Sequence, residues 1–131
     1  MLAAEQATIN RDVEATALKT AIAILDKWEC TPDQAWAILG MKKSSYYKNR
    51  DNTATARMTH DQLERVSYIL NIHAALRVIF DNPDNVSGFM RMKNHNPYFN
   101  GASPLDIIAS GNFGALYETY RRIDALRGAG L

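Results

Sequence analysis

The chain has 131 residues, 47% of them hydrophobic and 22% charged, with a net charge of +1. That balance belongs to a folded globular chain and excludes a disordered one, and at this length about two-thirds of the surface is buried on folding, enough for a core without staples. No apolar run approaches the roughly 20 residues of a membrane span. No signal peptide is expected at the start, and a lone cysteine, Cys30, permits no internal disulfide and points to a reducing, cytoplasmic setting.

Residues 1–12 carry no strong pattern and are expected to fray. Leu18, Ile22, Leu25 and Trp28 then recur at helical spacing and predict an amphipathic helix over 13–29. Thr31, Pro32, Asp33 and Gln34 form a start signal: a capping threonine, a proline at the first helical position and a glutamine that completes a capping box. The helix they open spans 32–39 and ends at Gly40, where the chain can turn left-handed. A second short helix fits residues 43–50, and the Asn- and Thr-rich stretch 51–57 reads as a loop. Thr59 to Gln62 repeats the capping box and opens a long helix over 60–80, bounded by Asn82 and Pro83. Its residues Leu63, Val66, Ile69, Leu70, Ile72, Leu76, Ile79 and Phe80 cover an arc of about 200°, too wide for one packing partner, so this helix should join two halves of the molecule.

A short helix is expected over 86–92, then a polar loop over 93–102 that nevertheless holds Tyr98 and Phe99. Ser103 and Pro104 open another helix, closed by Ser110 and Gly111. Asn112 is placed to cap the last one, over 113–126. No strand alternation is convincing, so the expected fold class is all-α: an N-terminal helix-turn-helix bundle over 13–58, a linking helix over 59–80 and a small helical domain over 81–131.

Two short helices about a glycine turn, the second of them basic, have the spacing of a DNA-reading helix-turn-helix. Residues 42–57 hold five cations (Lys42, Lys43, Lys48, Arg50, Arg57) against Asp51 alone, a charge of +4 that leaves −3 on the rest. Such a concentration on a near-neutral chain suits an anionic partner. Tyr46, six residues after Gly40, should be buried, and Met41 should pack beneath the turn. Lys42, Lys43, Ser44, Ser45, Tyr47, Lys48 and Asn49 are then the candidate contacts to phosphates and bases. Two departures from the commoner pattern stand out: Trp36 where a small residue is usual, and Lys42 at the capping position.

On the last helix Phe113, Leu116, Tyr117, Tyr120 and Ile123 share an arc of roughly 120°. Phe113, Leu116 and Ile123 are assigned to the core; Tyr117, Tyr120 and Arg121 to a surface shared with a partner, since aromatics and arginine are common interface anchors. Tyr98 and Phe99 either anchor their loop or join that surface. Arg127 borders the stripe, and Gly128 and Gly130 would free a tail ending at Leu131.

Catalytic chemistry is not evident. No Gly-rich phosphate cradle precedes a Lys-Ser or Lys-Thr pair, and no strained nucleophile turn suggests a Ser–His–Asp set. Residues Gly111, Asn112, Phe113 and Gly114 resemble an RNA-gripping loop, without the strands such a loop needs. His60 and His73 sit about 220° and roughly 20 Å apart along one helix and cannot share a metal. His73 is expected as a hydrogen-bonded core residue and Cys30 as a packed thiol. No catalytic residue, metal or cofactor is assigned.

The run from Gly40 to Lys48 resembles the recognition segment of many bacterial regulators. The second half is more specific: the helix around residues 63–76, Phe80, then Phe89, Met90 and Arg91, and above all Asn96, Pro97, Gly101, Ser103, Pro104, Leu105 and Asp106 followed by Gly111. Together they resemble the Xre/MbcA/ParS antitoxin family over about residues 31–131. Phe89 stands where tryptophan is frequent, and the loop before Gly101 is slightly longer than usual. The resemblance implies an antitoxin that binds a RES-domain, NAD-consuming toxin, obstructs its active-site cleft with the C-terminal region and represses the shared operon by binding operator DNA. It places Tyr98, Phe99, Tyr117, Tyr120, Arg121, Arg127 and Leu131 at the toxin, in a homodimer or a larger hetero-oligomer with it. A rival reading is a free-standing helix-turn-helix regulator whose second half dimerises or senses a ligand; a small enzyme is a third.

Overall fold

The computed structural model describes residues 2–128, and among them the chain is helical with no strand. Helix α1 spans Leu2–Lys27, α2 Pro32–Leu39, α3 Lys43–Asp51, α4 His60–Ile79, α5 Pro83–Gly88, α6 Pro104–Ile108 and α7 Phe113–Gly128, with single 3-10 turns at Thr53–Thr55 and Phe89–Arg91. The all-α architecture read from the sequence is the one observed. No helix among the described residues is long and apolar enough to cross a membrane.

Residues 2–12 depart from expectation. They do not fray: α1 starts at Leu2. The segment holds Ala3, Ala4 and Ala7, an acid in the first turn at Glu5 and neither glycine nor proline, so nothing breaks the helix that the core-packed turns propagate backwards. From Leu18 onward α1 joins the core through Leu18, Ala21, Ile22, Ile24 and Leu25.

Both capping boxes form as the residue types dictate. Thr31 Oγ1 accepts from Gln34 N at 3.2 Å while Gln34 Oε1 accepts from Thr31 N at 2.9 Å, and Thr59 and Gln62 repeat this at 3.1 and 2.9 Å. Helix α4 is the spine. It packs most extensively on α7 and then on α1, and also meets α2 and α5, which is why its apolar arc is so wide. Ile69, Ile72 and Leu76 are completely buried at its centre.

Three boundaries shift. Helix α5 starts at Pro83, earlier than the expected 86, because Asn82 caps it by accepting from Asp84 N at 2.8 Å and Pro83 suits the first turn. The chain tightens into a 3-10 turn at Phe89–Arg91 where a continuous helix to 92 was expected. Helix α7 runs on to Gly128, beyond the expected 126, so Gly128 is helical; the residues after it lie outside the described ones.

Candidate functional site

The turn between α2 and α3 is a Schellman motif. Gly40 takes φ 67°, its N–H donates to Ala37 O at 3.1 Å, and Met41 N donates to Trp36 O at 2.9 Å. Helix α4 then grips this turn. Gln62 Nε2 donates to Gly40 O at 3.1 Å. Arg65, almost wholly buried, lies so close that a Cβ on Gly40 would stand 2.8 Å from its Nε. Its guanidinium donates to Asp61 Oδ2 at 2.8 Å, to Ile38 O at 3.4 Å and to Gly111 O at 2.9 Å, and it covers the Phe113 ring at 5.6 Å. One buried cation thus joins the α2–α3 turn to the α6–α7 turn.

With the turn fixed, α3 presents two faces. Tyr46 is buried against the core and Met41 packs beneath the turn, as read from the sequence. Lys42, Lys43, Ser44, Ser45, Tyr47 and Lys48 are all exposed. The three lysines make no ion pair among the described residues. Asn49 departs from its assignment. It is buried, with Nδ2 3.6 Å from Met41 Sδ, because it lies three residues after Tyr46 and therefore on the same inward face. Arg50 is also spoken for: its guanidinium holds Asp26 at 2.9 and 3.1 Å and Tyr46 Oη at 3.1 Å, and that carboxylate raises its pKa further. Trp36 does not wedge between helices. It is half-buried on the outer seam, edge-on to Tyr46 and Tyr47 at 6.2 Å each. The accessible cationic set is therefore Lys42, Lys43 and Lys48 beside an exposed Tyr47, with Arg57, exposed and bonded to Thr55 O and Ala56 O, in the loop that follows.

The second surface is built on α7. Leu116 and Ile123 are buried as assigned. Phe113 is only half-buried, because it packs on Tyr68 of α4 at 5.8 Å and under Arg65. Tyr68 is the hub of an aromatic cluster, with Tyr117 at 5.7 Å and Tyr120 at 5.4 Å. Tyr117 is 42% exposed. Tyr120 and Arg127 line a groove of about 150 Å³ with Asn71, Ala74, Val78 and Asp124. Arg121 faces solvent and holds Glu118 at 3.3 Å, and Arg127 holds Asp124 at 2.7 Å.

The remaining predicted partner residues fall elsewhere. Phe99 is buried and departs from its assignment to a partner surface. Its loop is closed by paired bonds between Asn94 and residues 101 and 102, at 2.8 and 3.0 Å, and Phe99 is the apolar plug that seats it. Tyr98 is half-buried, edge-on to Phe99 at 5.2 Å and covered by Arg122 at 5.4 Å. Tyr120 and Arg122 point about 160° apart around α7, so Tyr98 belongs to the opposite flank. Leu131 and Gly130 lie outside the described residues. The sequence reading assigned no role to Tyr68 or Arg65. Tyr68 could have been found, since it lies next to the apolar arc of α4 and is the tyrosine able to meet α7.

No groups of three His, Cys, Asp or Glu side chains that could hold a metal occur among the described residues. His73 is half-buried, and its Nδ1 finds no partner among the described residues, contrary to the hydrogen-bonded expectation. Burial lowers its pKa first, and Lys27 and Arg77 lower it further. Cys30 is pushed up to about 12, mainly by burial and then by the charge of Asp26, and is an inert thiol at neutral pH.

Comparison with known proteins matches residues 7–71 to the antitoxin Xre-like helix-turn-helix domain and residues 75–129 to the antitoxin Xre/MbcA/ParS C-terminal toxin-binding domain. The boundary between the two matches falls inside α4. The chain is also similar to y4oB, an uncharacterized protein of Sinorhizobium fredii (strain NBRC 101917 / NGR234), at 31% identity over 112 residues, 85% of this chain and 84% of that one. No solved structure matches the chain.

Proposed function

Since the chain belongs to the Xre/MbcA/ParS family of antitoxins, we propose that it binds and inhibits a RES-domain, NAD-consuming toxin and represses its own operon. It does so in the cytoplasm, as a homodimer or in a larger hetero-oligomer with the toxin. The two functions divide between two surfaces on a common spine, in the order 13–58 for DNA, 59–80 for the link and 81–131 for the toxin. Neither matched family is one of enzymes, and no residue is assigned a catalytic role.

The observation that carries this reading is an exposed lysine set on α3 and its N-cap, unpaired among the described residues, together with a partly exposed aromatic cluster on α7, with Arg65 joining the turns that precede the two helices. Lys42, Lys43 and Lys48 neutralise operator phosphates, while Ser44, Ser45 and Tyr47 reach base edges and sugar. Tyr117 and Tyr120 dock the toxin, with Arg121 and Arg127 at the margin, and residues 127–131 lie nearest its NAD site. Tyr98, under Arg122, contributes from the other flank of α7.

Two variants separate the functions. Replacing Lys42, Lys43 and Lys48 with alanine should abolish binding to the promoter fragment and leave toxin neutralisation intact. Replacing Tyr117 and Arg121 with alanine should do the reverse. A lysine variant that still shifts the promoter normally would remove α3 from the reading. Deleting residues 127–131 and measuring cellular NAD with the toxin expressed tests the tail: unchanged protection would remove the tail-blocking part while leaving toxin docking in place.

A further inference from the structure

None of the first twelve residues of α1 is buried or half-buried among the described residues. Residues 2–13 are exposed throughout, a projection of about 18 Å. An isolated helix of this length is marginal in water. Of the seven large hydrophobic side chains exposed among the described residues, three sit here: Leu2 at 82%, Ile9 at 55% and Val13 at 62%. Their concentration on one helix face distinguishes them from scattered surface residues.

The stripe has a coiled-coil period. Leu2, Gln6, Ile9, Val13, Thr16 and Thr20 follow one another at alternating spacings of four and three, which is the seam pattern of a two-helix pairing. This seam lies roughly 180° around α1 from the core residues Leu18, Ile22 and Leu25. Beside its C-terminal part runs an open groove of about 460 Å³, lined by Asp12, Val13, Thr16, Ala17, Thr20 and Leu70.

We infer that α1 pairs antiparallel with α1 of a second copy of this chain, about a two-fold axis near Arg11. The stripe maps onto itself in that arrangement. Ile9 meets the partner's Val13, Gln6 meets the partner's Thr16, and Leu2 meets the partner's Thr20, where it enters the groove beside Ala17 and Leu70. Small Ala3 faces the partner's Ala17 and lets the helices approach. Glu5 stands beside the partner's Lys19 at both ends, two opposite-charge contacts. The single like-charge contact, Asp12 with the partner's Asp12, falls at the axis beside Arg11. Self-complementarity of this kind is what a two-fold interface requires, and a second copy is its natural occupant. The inference deepens the homodimer of the proposed function but stands on α1 alone.

Sedimentation velocity of the full chain, without toxin, across the micromolar range tests it. The wild type should dimerise. Ile9→Asp with Val13→Asp should weaken the dimer at least about a hundredfold, as loss of two buried apolar side chains implies, with the thermal transition unchanged when both proteins are diluted to monomers, because both side chains are exposed in the single chain. Glu5→Lys or Lys19→Glu alone should weaken it about threefold to tenfold, and the two together should restore it. A monomeric wild type, or a dimer indifferent to Ile9 and Val13, overturns the inference. Single charge changes without effect overturn the antiparallel register. A monomer whose toxin binding is lost on Ile9→Asp assigns the stripe to the toxin and overturns it as well. Toxin binding through Tyr117, measured on the same variants, reports separately on the proposed function.

Discussion

At the scale of single residues, His73 makes the stability of the protein depend on pH. Its Nδ1 has no hydrogen-bond partner among the described residues, and it faces Lys27 and Arg77 across a cavity that Asp81 and Asp84 also line. Burial and the two cations hold its pKa below the ordinary 6.5. The unfolded chain therefore binds a proton that the folded chain refuses, so stability rises with pH through this interval and is lost as pH falls below the unfolded value. The melting temperature should be level above neutrality and drop between about pH 7 and 5; His73→Gln should flatten that drop, and an equal drop in the variant would clear His73 of it. Gly40 and Gly111 offer a second measurement. Both take positive φ, 67° and 79°, and a Cβ would crowd Arg65 at the first and Ala37 O, at 3.3 Å, at the second. Either glycine to alanine should cost about 1–2 kcal/mol for the left-handed backbone alone, read as a lower urea midpoint, and more at Gly40 if Arg65 is displaced.

Residue roles were legible where chemistry and spacing agree. Tyr46, Met41, Leu116 and Ile123 are buried as the helical period demands. They were not legible where a polar type sits on an inward position. Asn49 and Thr119 are buried despite their chemistry, and Arg65 is buried because it finds carbonyls contributed by turns 27 and 46 residues away. No local pattern announces such partners. Phe99 lies in a polar loop whose purpose, closing on Asn94, appears only when the chain is folded.

At the scale of elements, α3 trades stability for exposure of charge. Its N-cap residue, Lys42, makes no capping hydrogen bond, and a cation there opposes the helix dipole. Lys42→Ser should raise stability by about 0.5–1 kcal/mol while weakening promoter binding, two changes of opposite sign in one variant. A variant that is no more stable would mean that the Schellman turn already fixes the start of α3. By contrast α4 begins with a complete capping box, and Thr59→Ala should cost about 1 kcal/mol and loosen Gln62 from Gly40 O, seen as faster amide exchange at the α2–α3 turn. The elements were the most legible level of this chain, since capping residues and apolar periods fix them locally. The exception is the first half of α1, whose positions face no core of this chain and whose helix persists through propagation from the core.

At the scale of the whole molecule, DNA binding should be strongly salt-dependent. Three phosphate contacts per chain give a slope of log affinity against log salt near −2.7, and two chains on one operator about −5. Filter binding over a salt series checks this: a slope near zero would show that α3 does not act through charge, and a slope near −2.7 would show a single chain bound.

The clasp at Arg65 has a further consequence for interchange between relatives. The chain divides into two matched segments at residues 71 and 75, which invites a graft at that seam. The seam lies within a rigid helix, yet the donor half must supply more than its own surface. Arg65 would come from one parent, while the Gly111 carbonyl that receives it at 2.9 Å would come from the other. A hybrid keeps its two surfaces in the parental orientation only if the donor ends its short α6 with a left-handed residue at that place. The joint, and not the docking surfaces, then decides which halves can be exchanged.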